Sequence, residues 1–495
     1  MSTNTTLQKK ISVVDQTIRD GPQSLYVERM NTMPPEMVFE LVPQLGQIPF
    51  KTIDLGGPVK FDRLVRAGED PWEHIARVRE MAPDTTLRWC AFANSLTFAL
   101  ESEELVDFAI QTCIKNGVTE FWLLDTMLNV EFDRRRIRSI KDMGGDVVAS
   151  VMYTLSPVHT DDYFAQKVAA IAQEPGLDGI YVEDTAGAMM PDRAGTLISA
   201  LRGAAGDLPI EAHFHDFNGF ALASYVSAMK AGADTVHTAI GPLSGGGSLP
   251  SLRGFLDVLG TEREFSCDIT HEHFAEVEEL AWNLTHHHAL PYGRPQHYDP
   301  TIYQHQLPGG MQSSLQRQLD QMGLSGRLPA VLDEMARVRK DLGYPVMATP
   351  LSQFVGVQAV FNIVNGERYK VVPDEICHYA RGHYGELAGQ IDPVVMDRIA
   401  ATPKYRELSG WEHPSTTMAD VRARLGSGWS DEELLLRMIC SESDLDALER
   451  IKQTDRLAAS TGLHATYEQV RDMMKLGTSV AVSASGSCGS VGLLR

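Results

Sequence analysis

Short β-prone runs alternate with amphipathic helical stretches through the first half of the chain, and this limits the fold more than any other feature. Strands are expected at Ser12–Val14, Thr52–Leu55, Leu87–Ala91, Glu120–Leu124, Val147–Tyr153, Gly179–Glu183, Ile210–His215 and Thr235–Thr238. Between them the apolar periodicity predicts helices over Pro35–Leu45, Pro71–Met81, Glu103–Asn116, Tyr163–Gln173, Pro191–Ala204 and Ala221–Ala231, with a later one from Leu252. Eight strand–helix units are the number that closes a barrel, typically in about 250 residues. The expected fold is therefore α/β: a (β/α)8 TIM barrel over residues 1–290, followed by a mainly helical C-terminal domain over 291–475. The boundary is placed at Pro291-Tyr-Gly-Arg-Pro295, and Leu332–Leu342 and Asp431–Cys440 carry helical periodicity beyond it. Residues 476–495, rich in Ser and Gly, are expected to form a flexible tail.

Such a barrel puts its chemistry at the C-terminal ends of its strands. Asp20, Asn94, Asp125, Tyr153, Glu183, His213 and His215 all fall there. His213 and His215 are two apart on a strand, so both imidazoles project to the same side and can reach one cation. The alternative for an isolated His-x-His is a pair of satisfied barrel histidines. Near the N-terminus, the first strand runs into Arg19-Asp20-Gly21-Pro22-Gln23, read as a loop that exposes Arg19, Asp20 and Gln23 at the mouth. Asp20 can supply a carboxylate to the histidines. Asn94, Asp125 and Tyr153 are candidates for touching substrate, although Asp125 or Tyr153 could instead orient a neighbouring loop.

The net charge of −21 over 495 residues argues against nucleic acid or an anionic membrane surface as a partner. No apolar run is long enough to span a bilayer, and Met-Ser-Thr-Asn-Thr-Thr lacks a signal-peptide core, so a cytoplasmic enzyme is expected. The six cysteines have no paired spacing, which predicts free thiols. His286-His287-His288 follows an amphipathic helix and is read as solvated or interfacial, not as a metal tract. Ser244-Gly-Gly-Gly-Ser248 could cradle an anion through its amides. Met473-Met474-Lys475-Leu476 lacks the context of a biotin attachment site, so no biotin is expected on this chain.

Several ordered blocks resemble one family. Asp15-Gln-Thr-Ile-Arg-Asp-Gly-Pro-Gln-Ser-Leu, Gly68-Glu-Asp-Pro-Trp-Glu, Tyr153-Thr-Leu-Ser-Pro-Val-His-Thr, Glu183-Asp-Thr-Ala-Gly and His213-Phe-His-Asp are similar to the carboxyltransferase family. This family contains the transcarboxylase 5S subunit, the oxaloacetate decarboxylase α subunit and the carboxyltransferase domain of pyruvate carboxylase. Beyond the barrel, His305-Gln-Leu-Pro-Gly-Gly-Met-Gln-Ser-Ser-Leu, Thr349-Pro-Leu-Ser-Gln-Phe-Val-Gly-Val-Gln-Ala and Gly366-Glu-Arg-Tyr-Lys extend the resemblance to about residue 400.

The resemblance implies a helical funnel over the barrel and a divalent metal held by an Asp, two His and a carbamylated Lys. Asp20, His213 and His215 match the first three, and Glu183 stands at the Lys position. Glu keeps the carboxylate but has less reach, so it is expected as a direct or water-bridged ligand, or else as an acid orienting one. Ala91 is aligned with an Arg that binds the substrate carboxylate, implying a substrate other than pyruvate or oxaloacetate. Ser313 aligns with the proton-shuttling Thr or Ser, its alternative being a helix N-cap.

The expected function is a metal-dependent carboxyltransferase or decarboxylase acting through the enolate of a 2-oxo or 3-oxo acid. Arg19 and Gln23 would hold the oxyanion and Ser313 would move the proton. Zn, Mn or Co suits mixed imidazole and carboxylate ligands. A biotin-independent lyase, aldolase or Claisen-type synthase is the alternative, and a scaffold subunit with a decayed site is the third reading. A biotin carrier on another chain and a homo-oligomer are the expected partners.

Overall fold

The computed structural model describes residues 8–26, 32–97, 99–461, 480–483 and 490–493. Eight parallel strands close a barrel: β1 (Ser12–Asp15), β2 (Thr52–Gly56), β3 (Leu87–Phe92), β4 (Glu120–Leu124), β5 (Asp146–Met152), β6 (Gly179–Asp184), β7 (Ile210–Phe214) and β8 (Thr235–Thr238). Closure is made by β1, which pairs with β2 on one side and with β8 on the other. The strands are buried along nearly their whole length, as expected where side chains fill the barrel and helices cover its outside.

The predicted helices form, several with the expected ends. Asp70 caps Pro71–Met81, its carboxylate accepting from the amides of Trp72 and Glu73, and Pro71 occupies the first helical position. The helix predicted from Tyr163 starts at Asp161, because the Thr160 hydroxyl caps it. Two further helices, Val59–Arg66 and Val130–Asp142, cover the barrel where none was anticipated.

The loop expected after β1 is instead a short helix, Asp20–Leu25. The Gln16 carbonyl accepts from the amides of Asp20 and Gly21 and starts the turn. Arg19 and Asp20 are therefore buried, not exposed, while Gln23 stays at the surface of the mouth.

The helical region does not pack as the single unit expected over 291–475. Helices Gly309–Gln321, Leu328–Asp341 and Leu351–Asn365, with the shorter ones up to Trp411, build a core of their own. Helices Met418–Leu425, Asp431–Ile439 and Glu442–Thr461 return to the barrel, where Val421, Leu434, Leu435 and Leu448 join its core. Within the expected tail, Val480–Ser483 pairs antiparallel with Ser490–Leu493, so its described residues are strands.

Two glycines explain how the funnel seats on the barrel. A Cβ on Gly309 would lie 1.6 Å from the Phe217 ring, and one on Gly293 would lie 1.8 Å from the Ser244 carbonyl oxygen. The Pro-Gly-Gly segment thus lets helix Gly309–Gln321 begin against the loop that follows the two histidines.

Candidate active site at the barrel mouth

Asp20, His213 and His215 converge at the C-terminal mouth, with one ligand atom from each lying within 4.8 Å of the others. Asp20 Oδ1 is 3.6 Å from His215 Nε2 and 4.0 Å from His213 Nε2, and the two Nε2 atoms are 3.3 Å apart. All three side chains are buried. The alternation of β7 explains the geometry: His213 faces into the barrel, and His215 follows it one residue beyond the strand.

Hydrogen bonds orient both rings. His215 Nδ1 donates to the Gly247 carbonyl at 2.7 Å, which leaves Nε2 as a lone pair directed at Asp20 and His213. The Ser244–Ser248 loop therefore contributes a carbonyl. Its amides at Gly245 and Ser248 are used within the loop rather than in an anion cradle.

Behind His213 runs a relay. Glu211 Oε2 accepts from His237 Nε2 at 3.0 Å, and His237 Nδ1 lies 3.1 Å from His213 Nδ1. With the His237 proton committed to Glu211, its Nδ1 is an acceptor that faces two donors, the Gln16 side-chain amide at 3.1 Å and His213 Nδ1, and the His213 lone pair then points into the cluster. Burial and the neighbouring imidazoles hold His213 far below the usual histidine range, so the ring is neutral, as a metal ligand must be.

Glu183 lies on β6, in register with His213 across the β6–β7 pair. It lines the cavity but falls outside the three-atom cluster. Its Oε2 is buried without a hydrogen-bond partner among the described residues. Burial raises its pKa from 4.5 to about 7, against the pull of Arg19 and His215.

Arg19 donates from Nη1 to Asp20 Oδ1 at 3.0 Å and sits over the Trp122 ring, 5.0 Å from its centroid. Ser24 Oγ donates to Asp20 Oδ2 at 3.2 Å. The cavity, about 860 Å³, is walled by barrel and funnel residues together. Arg19, Asp20, Gln23, Glu183 and His215 line it, with Leu307, Gly309 and Ser314 from the funnel side.

The other predicted residues stand apart from the cavity wall. Asp125 turns its carboxylate onto the amides of Met127 and Asn129 at 2.8 and 2.6 Å, so it orders the loop after β4. Tyr153 packs outward against Phe164 and beneath the Arg193 guanidinium. The preceding Met152 is the one that faces the cavity, as strand alternation requires. Asn94 does not line the cavity, and its carbonyl accepts from the Glu101 amide. Ser313 is exposed, and its hydroxyl donates at 3.4 Å to the Gly309 carbonyl; Pro308, not Ser313, holds the N-cap position, and Ser314 faces the cavity. His286 and His287 are exposed on the last turn of helix His271–His287.

Ala91 requires a correction. It is buried against the helical layer outside the barrel, whereas its neighbours Cys90 and Phe92 face the cavity. Arg88 shares their inward direction but lies deeper, where Glu120 and Glu211 neutralise it. No cation therefore lines the cavity from β3, but this follows from Cys90 and Phe92 and not from Ala91. An Arg placed at 91 would enter the apolar layer instead of the site.

Sequence reasoning missed Glu211 and His237, and it read the loop that holds Gly247 as an anion cradle rather than as the carbonyl that orients His215. Glu211 was within reach, since Glu211-x-His213-x-His215 is one inward-facing alternation.

Comparison with known proteins agrees with this architecture. Residues 10–250 match the HMGL-like family model, and residues 302–486 match a conserved carboxylase domain. The 2-oxoglutarate carboxylase large subunit of Hydrogenobacter thermophilus is 30% identical over 443 residues, covering 87% of this chain and 67% of that protein. A pyruvate carboxylase subunit of Methanocaldococcus jannaschii is 32% identical over 393 residues, covering 79% and 68%. The carboxyl transferase domain of Rhizobium etli pyruvate carboxylase, solved with 3-hydroxypyruvate, has the same fold, with a TM-score of 0.80 at 23% identity over 91% of this chain and 78% of that one.

Proposed function

The chain belongs to the carboxyltransferase family that includes the Hydrogenobacter 2-oxoglutarate carboxylase large subunit and the Methanocaldococcus pyruvate carboxylase subunit, and from that premise we propose that it moves a carboxyl group to or from a 2-oxo acid at the mouth of its barrel. The observation that carries this reading is the buried Asp20–His213–His215 cluster, with Glu183, whose Oε2 has no partner among the described residues, lining the same cavity as Asp20 and His215. The biotin-independent lyase and the scaffold subunit are not favoured, since the relatives are carboxylases and the site keeps its donor set.

Two oriented imidazole lone pairs and a carboxylate suit a divalent transition ion, and the free Glu183 oxygen fits a fourth, water-bridged position. We assign Asp20, His213 and His215 as ligands, Glu183 as the outer carboxylate, and Zn, Mn or Co as the ion. Such an ion would polarise the substrate carbonyl as a Lewis acid.

The rest falls to the chain. Arg19, fixed by Asp20 and stacked on Trp122, offers positive charge to the oxygen that becomes an enolate. Gln23 stands at the rim, where its amide can hold the acid in place. The proton leaves the carbon that receives the carboxyl group. Ser314, which faces the cavity, is better placed than Ser313 to carry it. The funnel closes over this centre, and a biotin carrier on another chain would bring the carboxyl group through it.

The relatives' names contain two acids, pyruvate and 2-oxoglutarate, which share the 2-oxo acid group and differ by a second carboxylate. The test is carboxyl transfer from carboxybiotin to a panel of 2-oxo acids, followed with and without added divalent ion. Ion-dependent transfer that is lost in His213→Ala is expected. Cleavage of an oxo acid into carbon fragments, with no carboxyl transfer in either direction, would overturn the reading.

A further inference from the structure

One wall of the cavity carries charge that the proposed chemistry does not use. Helix Val59–Arg66 follows β2 at the mouth and presents Lys60, Arg63 and Arg66 to the cavity, together with one acid, Asp62. Their circumstances differ. Lys60 Nζ donates to the Leu55 carbonyl at 2.6 Å. Arg66 pairs with Asp62 at 3.2 Å and with Asp444 at 3.3 Å. Arg63 is half-buried and, among the described residues, makes no side-chain hydrogen bond or ion pair; its only charged neighbour of influence is Asp62, already bonded to Arg66.

A half-buried guanidinium facing a cavity without an acceptor carries a desolvation cost that a carboxylate ligand would offset through charge-assisted, bidentate hydrogen bonds. Arg19 is already assigned to the oxygen that becomes an enolate, at the other end of the acid, and β3 offers only Cys90 and Phe92. The cavity, about 860 Å³, has room for an acid longer than three carbons beside the incoming carboxyl donor, and Phe92, Leu124 and Met152 give it an apolar stretch of wall. These are the features of a site for an acid with charge at both ends and methylene groups between.

We infer that Arg63, with Lys60 one turn earlier on the same helix, forms a second carboxylate subsite, and that the chain takes a 2-oxo dicarboxylic acid whose distal carboxylate rests on the Arg63 guanidinium. The inference rests on the 2-oxo acid reading above. It adds a specificity-determining residue that lies outside the metal cluster.

The experiment is calorimetric titration of the full-length, metal-loaded protein with 2-oxoglutarate and with 2-oxopentanoate, which has the same five carbons but no distal carboxylate. The dicarboxylate should bind at least about tenfold tighter, the loss expected for one good charge-assisted contact. In Arg63→Gln the two acids should bind within about twofold of each other, and Arg63→Lys should fall between. Metal content, measured on the same samples, should match wild type. Equal affinities in wild type, or a preference that survives Arg63→Gln, would overturn the subsite while leaving the oxo acid reading intact. Failure of both acids to bind a wild-type protein that carries its metal would overturn that reading and the subsite with it.

Discussion

Two clusters of charge lie along the barrel axis, one deep and one at the mouth. In the deep cluster, Arg88 is fully buried and donates to Glu120 at 2.8 Å and to Glu211 at 2.6 and 3.1 Å, while Lys51 and His237 complete the Glu211 carboxylate. At the mouth, Glu183 has an oxygen without a partner among the described residues, and two imidazole lone pairs converge beside Asp20. Burial is similar in the two places but satisfaction is not. Complete pairing marks the deep cluster as architecture, and surplus acceptors mark the mouth as a place built to receive a cation.

The sharpest way to break this contrast is to remove a ligand. His213→Ala should weaken divalent ion binding on the order of 10³-fold or more, so that elemental analysis finds little ion after dialysis, while the metal-free fold persists. Full ion content in the purified variant would mean that the mouth is not a metal site.

Glu211→Ala should have the opposite character. It strips the acceptor from Arg88, Lys51 and His237 together, leaving buried charge unpaired. A loss of about 3–5 kcal/mol in urea unfolding is expected, whether or not an ion is present. A variant as stable as wild type would show that the deep cluster is not what holds this end of the barrel.

The strands and most of the covering helices were legible because apolar periodicity reports burial directly, and burial is what a barrel strand needs. The direction of single side chains was legible only where the strand register was known. Ala91 aligned with an inward Arg by sequence, yet its parity sends it outward, and Tyr153 beside Met152 repeats the lesson. The Arg19–Gln23 segment was read as a loop because Gly21 and Pro22 interrupt strands; Pro near the start of a short helix does not break it, since it removes an amide that has no partner there. Amphipathic helices do not name their packing partner, so nothing in 418–461 announced that these helices return to the barrel rather than extend the funnel. Of the site, Asp20 and the two histidines were found from spacing and resemblance. The relay through His237 was not, because it joins strands distant in sequence.

That relay links the two clusters and can be tested alone. His237→Phe keeps an aromatic ring, somewhat larger than the imidazole, but removes the acceptor that fixes His213 Nδ1. Ion affinity should fall about 10–100-fold, as is usual when the partner that orients a ligand is lost. Because the Phe variant leaves Arg88 paired with Glu211, its urea midpoint should move less than that of Glu211→Ala. A fall in stability with unchanged ion affinity would make His237 a packing residue only.

The last effect concerns Glu183 and carries a sign. Its side chain loses a proton near 4.5 when free in solution and near 7 when buried in the metal-free fold. Between those values the folded chain binds more protons than the unfolded chain, so this group's contribution to stability falls as pH rises and is fully unfavourable above about 7. Glu183→Gln never ionises. In the presence of a chelator it should therefore be more stable than wild type at pH 8, on the order of 3 kcal/mol, and little different at pH 4.5. Saturating divalent ion should reverse the order at pH 8, because the ionised carboxylate then has a cation to face and the amide offers less. Urea midpoints at the two pH values, with chelator and with ion, give the full set. A gain for the Gln variant that is the same at both pH values and indifferent to the ion would mean that Glu183 is only a strained barrel residue, and the difference between the two clusters would shrink to the histidines and Asp20.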